Sequence, residues 1–468
     1  MFKSLLSTLT RKLKKGLVAI FFALFSFQYS GRLALPTGEQ LEDIGATGFF
    51  GQGEKVSESN LYKSHREAIE SHADGEYHKA VHIQREILRN VYRLNKIEDD
   101  SWNPKFLSYY YGGYLGHRAL VGIILMAQKI GLISDTNRLL PYGGEVNEQQ
   151  LKVLFQSCKN LELIRSDYGN RCLEGPLNWH LSERLWMIKT KTGFFETQQF
   201  VDDVFAAYNK SDMNSPIILD DEYLESARNK LENLGLPKDK LFVALHVRRK
   251  AWNAYDIRQA KIENYVDSVK EILNQGFYVL QFGTDSQVPI LQDKRVLVIQ
   301  GNHELPRFLT PYILSECEFL INTCSGPTYL AALLGTSVLQ TNVIALGKCA
   351  PTLTRNSLHL PKRFLHKGNL LSLGEIFSSQ CAYTFRSTQH LKHQGYEVLE
   401  NSSDEILSAT LDILQITKGE NLENKAMCDV AKLRRELNVP TNGVIAPSFL
   451  NDNHQWLFQS GFEGKNKD

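Results

Sequence analysis

The chain has 468 residues, 43% hydrophobic and 22% charged, which is enough apolar material for two cores of ordinary size and marks a globular multidomain protein. Lys plus Arg number 53 against 52 for Asp plus Glu, so no global field exists to hold nucleic acid or an acidic polymer, and any anion recognition is local. The cysteines (Cys158, Cys172, Cys317, Cys324, Cys349, Cys381, Cys428) are odd in number, dispersed and free of Cys-x-x-Cys, which argues against a zinc ribbon or disulfide framework and fits a reducing compartment.

Residues 1–30 depart from this even composition. Lys3, Arg11, Lys12, Lys14 and Lys15 precede an apolar run, residues 16–27. As a helix rising about 1.5 Å per residue, that run falls short of a hydrocarbon core roughly 30 Å thick. Leu5, Leu6, Leu9 and Leu13 share a face that most of the basic residues avoid, a pattern suited to the headgroup region of an anionic leaflet. We therefore expect attachment to a membrane surface through residues 1–30, on its cytoplasmic face, peripherally or by a short anchor. A secretory signal peptide has the same order of charge and apolarity, but residues 25–31 offer no small-x-small cleavage site. A tilted or longer anchor is the remaining alternative.

Residues 31–58 read as a linker. In residues 59–98, Tyr77, Ala80, Val81, Ile87, Leu88, Val91 and Tyr92 recur mostly at helical spacing after the break at Asp74-Gly75, predicting one tetratricopeptide-like hairpin. No second copy follows, so the hairpin must pack on its neighbour. Residues 99–236 alternate strand and helix: an aromatic strand ending at Tyr111, a glycine turn, a helix from His117 to Lys129, and apolar stretches around Leu139 and Leu161. Residues 167–195, with Asn170, Glu174, Trp179 and His180, are too long for an ordinary connection and are a candidate acceptor loop. A charged helix from Glu222 to about Leu234, then Gly235-Leu236-Pro237, sets the boundary before residues 237–416. There, apolar strands are predicted at 241–246, 277–282, 295–300, 318–322 and 337–342, in a sheet covered on both faces. Ser402-x-x-Glu405 forms a capping box for a helix to about Leu414, and residues 417–468 read as a partly helical tail.

Ligands of open parallel sheets sit beyond the carboxyl ends of strands, which singles out three clusters. Asn322-Thr323-Cys324-Ser325-Gly326-Pro327 leads into a helix N-terminus, where free amides attract a diphosphate and Thr323 and Ser325 add hydroxyls. A simple helix cap with Pro in the first turn accounts for the same residues. His246-Val247-Arg248-Arg249 sends His246 and Arg248 to one side if the strand continues, with Lys250 and Arg258 nearby. A solvated basic turn is the alternative. Gly283-Thr284-Asp285 holds a base or ribose, or is only a turn. Upstream, Gly112, Gly113 and Gly116 let an acceptor or an opposing domain approach the backbone, but their spacing departs from Gly-x-Gly-x-x-Gly. His117 is either a base toward an acceptor hydroxyl or a residue that caps or packs. No Asp-x-Asp is present to hold a divalent ion against a diphosphate, and Asp202-Asp203 and Asp220-Asp221 are placed at helix starts in structural roles. Nor is there a Gly-x-Ser-x-Gly, His-Glu-x-x-His or Walker loop.

Residues 243–285, 319–342 and 401–407 (NSSDEIL) resemble a little-characterised family of bacterial glycosyltransferase-like proteins. The His-x-Arg after a strand is similar, more distantly, to the donor element of O-fucosyltransferase-like and heptosyltransferase-like enzymes. The resemblance implies the GT-B architecture: an α/β protein with two Rossmann-like domains facing a cleft, residues 99–236 binding acceptor and 237–416 binding donor. It implies that His246 and Arg248 hold the donor diphosphate, that Arg258 and Asn264-Tyr265 belong to the same wall, and that Thr323, Ser325 and Gly326 form the phosphate turn. Where the family pattern has an acidic residue directly after His-Val-Arg, this chain has Arg249 and Lys250, so Asp256 takes that place or the donor chemistry differs. The expected function is polysaccharide-type glycosyl transfer from a nucleotide-diphosphate sugar to a surface-glycan, lipid-linked or protein acceptor, with no metal and no cofactor. Arg248 would stabilise the departing diphosphate and His117 would act as base. Two rivals stand: a sugar-nucleotide epimerase of the same fold, and a catalytically inactive, membrane-recruited binding protein.

Overall fold

The computed structural model describes residues 76–94, 115–133, 137–142, 145–165, 187–190, 193–211, 217–249, 256–283, 288–299, 304–383 and 388–458, with a few isolated positions besides. The basic-apolar segment 1–30, the linker 31–58, the strand ending at Tyr111, Gly112 and Gly113 lie outside the described residues. Among the described residues, no helix is long and apolar enough to cross a membrane.

Helix α1 (Tyr77–Leu94) precedes α2 (Leu115–Lys129). Strand β1 (Arg138–Tyr142), helix α3 (Glu145–Phe155) and strand β2 (Leu161–Arg165) form one parallel βαβ unit. Strands β3 (Met187–Thr190) and β4 (Gly193–Glu196) pair as an antiparallel hairpin against which α1 packs. Helices α4 (Thr197–Lys210) and α5 (Asp221–Asn233) follow; α5 starts at Asp220, whose carboxylate accepts the Glu222 and Tyr223 amides. The first half of the chain thus supplies two-stranded sheets only, among the described residues.

The main sheet is built from β5 (Phe242–His246), β6 (Tyr278–Gln281), β7 (Val296–Val298), β8 (Phe319–Thr323), β9 (Ser337–Val343) and β10 (Leu358–Pro361). Helix α6 (Val266–Asn274) links β5 to β6, α7 (Glu304–Glu316) links β7 to β8, and α8 (Pro327–Leu333) links β8 to β9. Every pairing is parallel and the order is β10-β9-β8-β5-β6-β7. Successive strands step outward from β5 on one side and from β8 on the other, so the winding reverses between β5 and β8, as in a Rossmann-type sheet. The five strands expected from sequence all appear, displaced by no more than a residue or two at each end.

Alternation along the strands explains the two layers. Val243, Leu245, Phe319 and Ile321 enter a core with Val269, Ile272 and Ile413, whereas Ala244, Leu280 and Leu320 enter a second core with Leu309, Ile313 and Leu330. That second core also takes Ile123, Leu125 and Phe205 from α2 and α4, so helices preceding residue 237 cover one face of the main sheet. Strands β11 (Arg363–His366), β12 (Asn369–Leu370) and β13 (Tyr396–Leu399) form a small antiparallel sheet at the side. Helix α9 (Ser403–Thr417) starts at the expected capping box, with Ser402 and Glu405 bonded reciprocally, and packs on α6. Helix α10 (Lys425–Glu436) leads into a stretch that buries Ile445, Phe449 and Leu450 in the first core. Residues 425–457 are therefore packed structure, which differs from the tail expected of them.

Candidate functional site

At the reversal, His246 pairs in register with Asn322, so the last residues of β5 and β8 emerge side by side at the carboxyl edge. Asn322 is fully buried. Its Nδ2 donates to Thr328 Oγ1 at 2.7 Å, which turns Oδ1 toward the imidazole. His246 Nδ1 lies 2.9 Å from that Oδ1 and 3.1 Å from Ser325 Oγ, and Ser325 Oγ donates to the same Oδ1 at 2.9 Å. In this arrangement Nδ1 carries the proton and Nε2 the lone pair. Phe282, at the end of β6, places its ring 5.2 Å from that of His246. Gly283 follows at φ 122°, a conformation for which glycine is needed, so the third strand end also turns at this edge.

The chain leaving β5 is pinned on both sides. The Arg248 amide donates to Thr323 Oγ1 at 3.1 Å, and the Arg248 carbonyl accepts the Ala260 amide at 3.0 Å. Arg258 lies on a single 3-10 turn, Asp256–Arg258. Both guanidinium charges bear on the turn after β8. The buried Cys324 thiol is pulled down, first by its hydrogen bond with Cys349 and then by the positive charges of Arg258 and Arg248. A local positive field thus exists in a chain whose net charge is only +1.

Beneath this edge lies a polar clamp. Tyr265 is fully buried, its hydroxyl 2.7 Å from Thr341 Oγ1 and accepting from Asn342 Nδ2 at 3.1 Å. Burial pushes its phenol well up. Asn342, at φ 52°, exchanges backbone-to-side-chain bonds with Asn401: its amide donates to Asn401 Oδ1 at 2.6 Å and its Oδ1 accepts the Asn401 amide at 2.9 Å. Asn264 Nδ2 donates to the Asn401 carbonyl. Asn264 and Tyr265 therefore support the strand ends and do not form the site wall that the family resemblance implied.

The structure brings His246, Arg248, Arg258, Gly283, Thr323, Ser325 and Gly326 to one edge. Helix α8 is only seven residues long, its first residue Pro327 has no N–H, and the Thr328 amide is already bonded to the Ser325 carbonyl at 3.2 Å. Pro327 and the bonded Thr328 amide therefore leave fewer free amides at this helix start than an unblocked one would have. Thr323 is fully buried and accepts from Arg248, which makes it a tie between strand ends. The His246 Nδ1 proton and the Ser325 hydroxyl are both taken up by Asn322 Oδ1, so the cations near this edge are the two arginines, whose charges bear on Cys324. Gly116 and His117 sit in the first turn of α2, which packs against α8, while Gly112 and Gly113 fall outside the described residues. Asp202 and Asp203 lie inside α4, not at its start; buried Asp202 accepts from the Thr352 and Asn442 amides and from Asn442 Nδ2, tying α4 to two distant loops. Sequence reasoning missed Thr328, whose partner Asn322 is near in sequence, and Asn342 and Asn401, whose partners are distant.

No protein-family model matches this sequence, and no curated protein does. Among solved structures the chain is similar to the Escherichia coli ADP-heptose lipopolysaccharide heptosyltransferase II, with 11% identity and a TM-score of 0.38 over 65% of this chain and 97% of that one. It is similar to a glycosyl transferase family 9 protein of Veillonella parvula, with 13% identity and a TM-score of 0.34 over 48% of this chain and 78% of that one. It is also similar to the E. coli heptosyltransferase WaaC with ADP, with 10% identity and a TM-score of 0.31 over 64% and 98% of the two chains. At this level of identity and superposition the likeness carries no argument about chemistry, which rests on the residues at the sheet edge.

Proposed function

We propose that the protein is a glycosyltransferase that takes a sugar from a nucleotide-diphosphate donor bound at the β5–β8 reversal. One observation carries this: the two strand-end clusters chosen for phosphate chemistry meet at the reversal of a Rossmann-ordered sheet, linked through His246, Asn322 and Ser325. Glycosyl transfer breaks the bond between the anomeric carbon and a diphosphate oxygen, so charge grows on the leaving phosphate. Arg248 and Arg258 offset that charge, in the place a divalent ion takes in other transferases. Their guanidiniums grip oxygens in pairs. The acceptor, a surface glycan, lipid-linked sugar or protein, approaches from the side of α2, and His117 is the candidate base for its hydroxyl. Residues 1–30 hold the enzyme at the cytoplasmic face of a membrane.

The test is incubation of the purified protein with UDP-, GDP-, ADP- and CDP-sugars while the nucleotide diphosphate released is measured. One of these donors is expected to be turned over in the presence of acceptor, with Arg248→Ala at least tenfold weaker in donor binding, the loss expected for one charged hydrogen bond of about 1.5–3 kcal/mol. Isomerisation of the donor without acceptor would replace this account with that of an epimerase, and binding without any turnover would replace it with that of an inactive binding protein.

A further inference from the structure

Where α1 meets α4 and the loop after α10, a cavity of about 310 Å3 is lined by His78, His82, Arg85, Gln199 and Asn438, with two apolar neighbours. None of the switch-point residues lines it. His78, His82 and Arg85 recur at four and three residues, so one face of α1 presents all three. The described residues lining the cavity include no carboxylate, so Arg85 has no anionic partner in its wall. The Nε of Arg85 is buried and has no hydrogen-bond partner. A buried guanidinium N–H left unsatisfied calls for an explanation, because the great majority of buried polar atoms are bonded. His78 lines the cavity with an exposed ring, and partial desolvation lowers its pKa. Its position is fixed by the edge of Tyr383, 5.8 Å away centroid to centroid. Gln199 and Asn438 add amide groups on the opposite walls. Asn438 keeps a left-handed φ of 53°, which Asn tolerates better than most residues.

The geometry points to a second ligand site here, apart from the switch point, that takes a phosphate group carried on a sugar-sized molecule. Imidazole and guanidinium donors on one helix face match phosphate oxygens, and the amides opposite match sugar hydroxyls. The volume lies at the lower end of the roughly 300–1,000 Å3 of small-molecule pockets, which suits one sugar ring and its phosphate. The inference does not depend on what binds at the switch point.

The test titrates the full-length protein calorimetrically with glucose 6-phosphate, inorganic phosphate and glucose. Glucose 6-phosphate is expected to bind more tightly than inorganic phosphate, and glucose not at all. Arg85→Gln should weaken glucose 6-phosphate binding at least tenfold while leaving nucleotide-diphosphate affinity unchanged, and Arg248→Ala should leave glucose 6-phosphate binding unchanged. If Arg85→Gln does not fold, as judged by circular dichroism, His82→Gln carries the same expectation from an exposed position. Absence of glucose 6-phosphate binding, indifference to Arg85 and His82, or loss of binding in Arg248→Ala would each overturn the site. Equal affinity for inorganic phosphate would overturn its sugar-sized part.

Discussion

Asn322 shows how one residue joins scaffold and site. Its amide bonds Thr328 on one side and His246 with Ser325 on the other, entirely out of water. Asn322→Ala should cost about 1–3 kcal/mol, since it leaves buried partners unpaired, and should weaken nucleotide binding by releasing the imidazole. Urea denaturation and calorimetry measure the two effects; a stable variant that binds normally would show that the network is incidental. Gly443 is a purely structural counterpart. A Cβ there would sit 2.5 Å from the carbonyl oxygens of both Ala350 and Pro351 and 2.4 Å from His359 Nε2. Backbone carbonyls cannot swing aside as a side chain can, so Gly443→Ala should destabilise the protein by at least about 1–3 kcal/mol while leaving the switch-point residues in place. A thermal melt checks this. His246, Arg248 and Ser325 were visible in the sequence because polar residues directly follow apolar strands. Asn342 and Asn401 were not, since a buried asparagine pair 59 positions apart leaves no local pattern.

Among the elements, those with strong local rules were read correctly and those held by distant contacts were not. The helix after Ser402 was legible because the capping box is a pattern of adjacent residues, and both of its bonds are present. Ser402→Ala should cost about 0.5–2 kcal/mol, seen as a lower urea midpoint at unchanged slope. No change would mean that packing of α9 on α6 holds the helix start by itself. Strand β10 escaped notice: four residues containing His359 and ending in Pro361 do not read as a strand. It forms because His359 is satisfied in the interior, its Nε2 donating to the Pro351 carbonyl at 3.0 Å and its Nδ1 lying 2.9 Å from the side-chain amide of Gln340. Helix α8 was placed correctly, with Pro327 and the bonded Thr328 amide in its first turn.

At the scale of the whole molecule, stability should depend on pH through His359. Burial lowers its pKa from 6.5 to about 3 in the folded state. The unfolded chain therefore binds a proton below about 6.5 that the folded protein refuses until about 3. This group costs nothing above 6.5, and as pH falls through that window stability drops by up to about 1.4 kcal/mol per pH unit. Urea denaturation of wild type and His359→Gln between pH 7 and 4 measures the difference, and parallel profiles would assign the acid sensitivity elsewhere. The main sheet of the described residues is parallel and covered on both faces, its winding reverses at His246 and Asn322, and helices from both halves of the chain lie on one face. The central claim is that a nucleotide diphosphate occupies that reversal. Calorimetric titration of the full-length protein with UDP, GDP, ADP and CDP tests it most directly. The account predicts saturable binding of at least one of them, weakened tenfold or more by Arg248→Ala and by Arg258→Ala. No binding of any of the four, or binding that neither substitution alters, would contradict it.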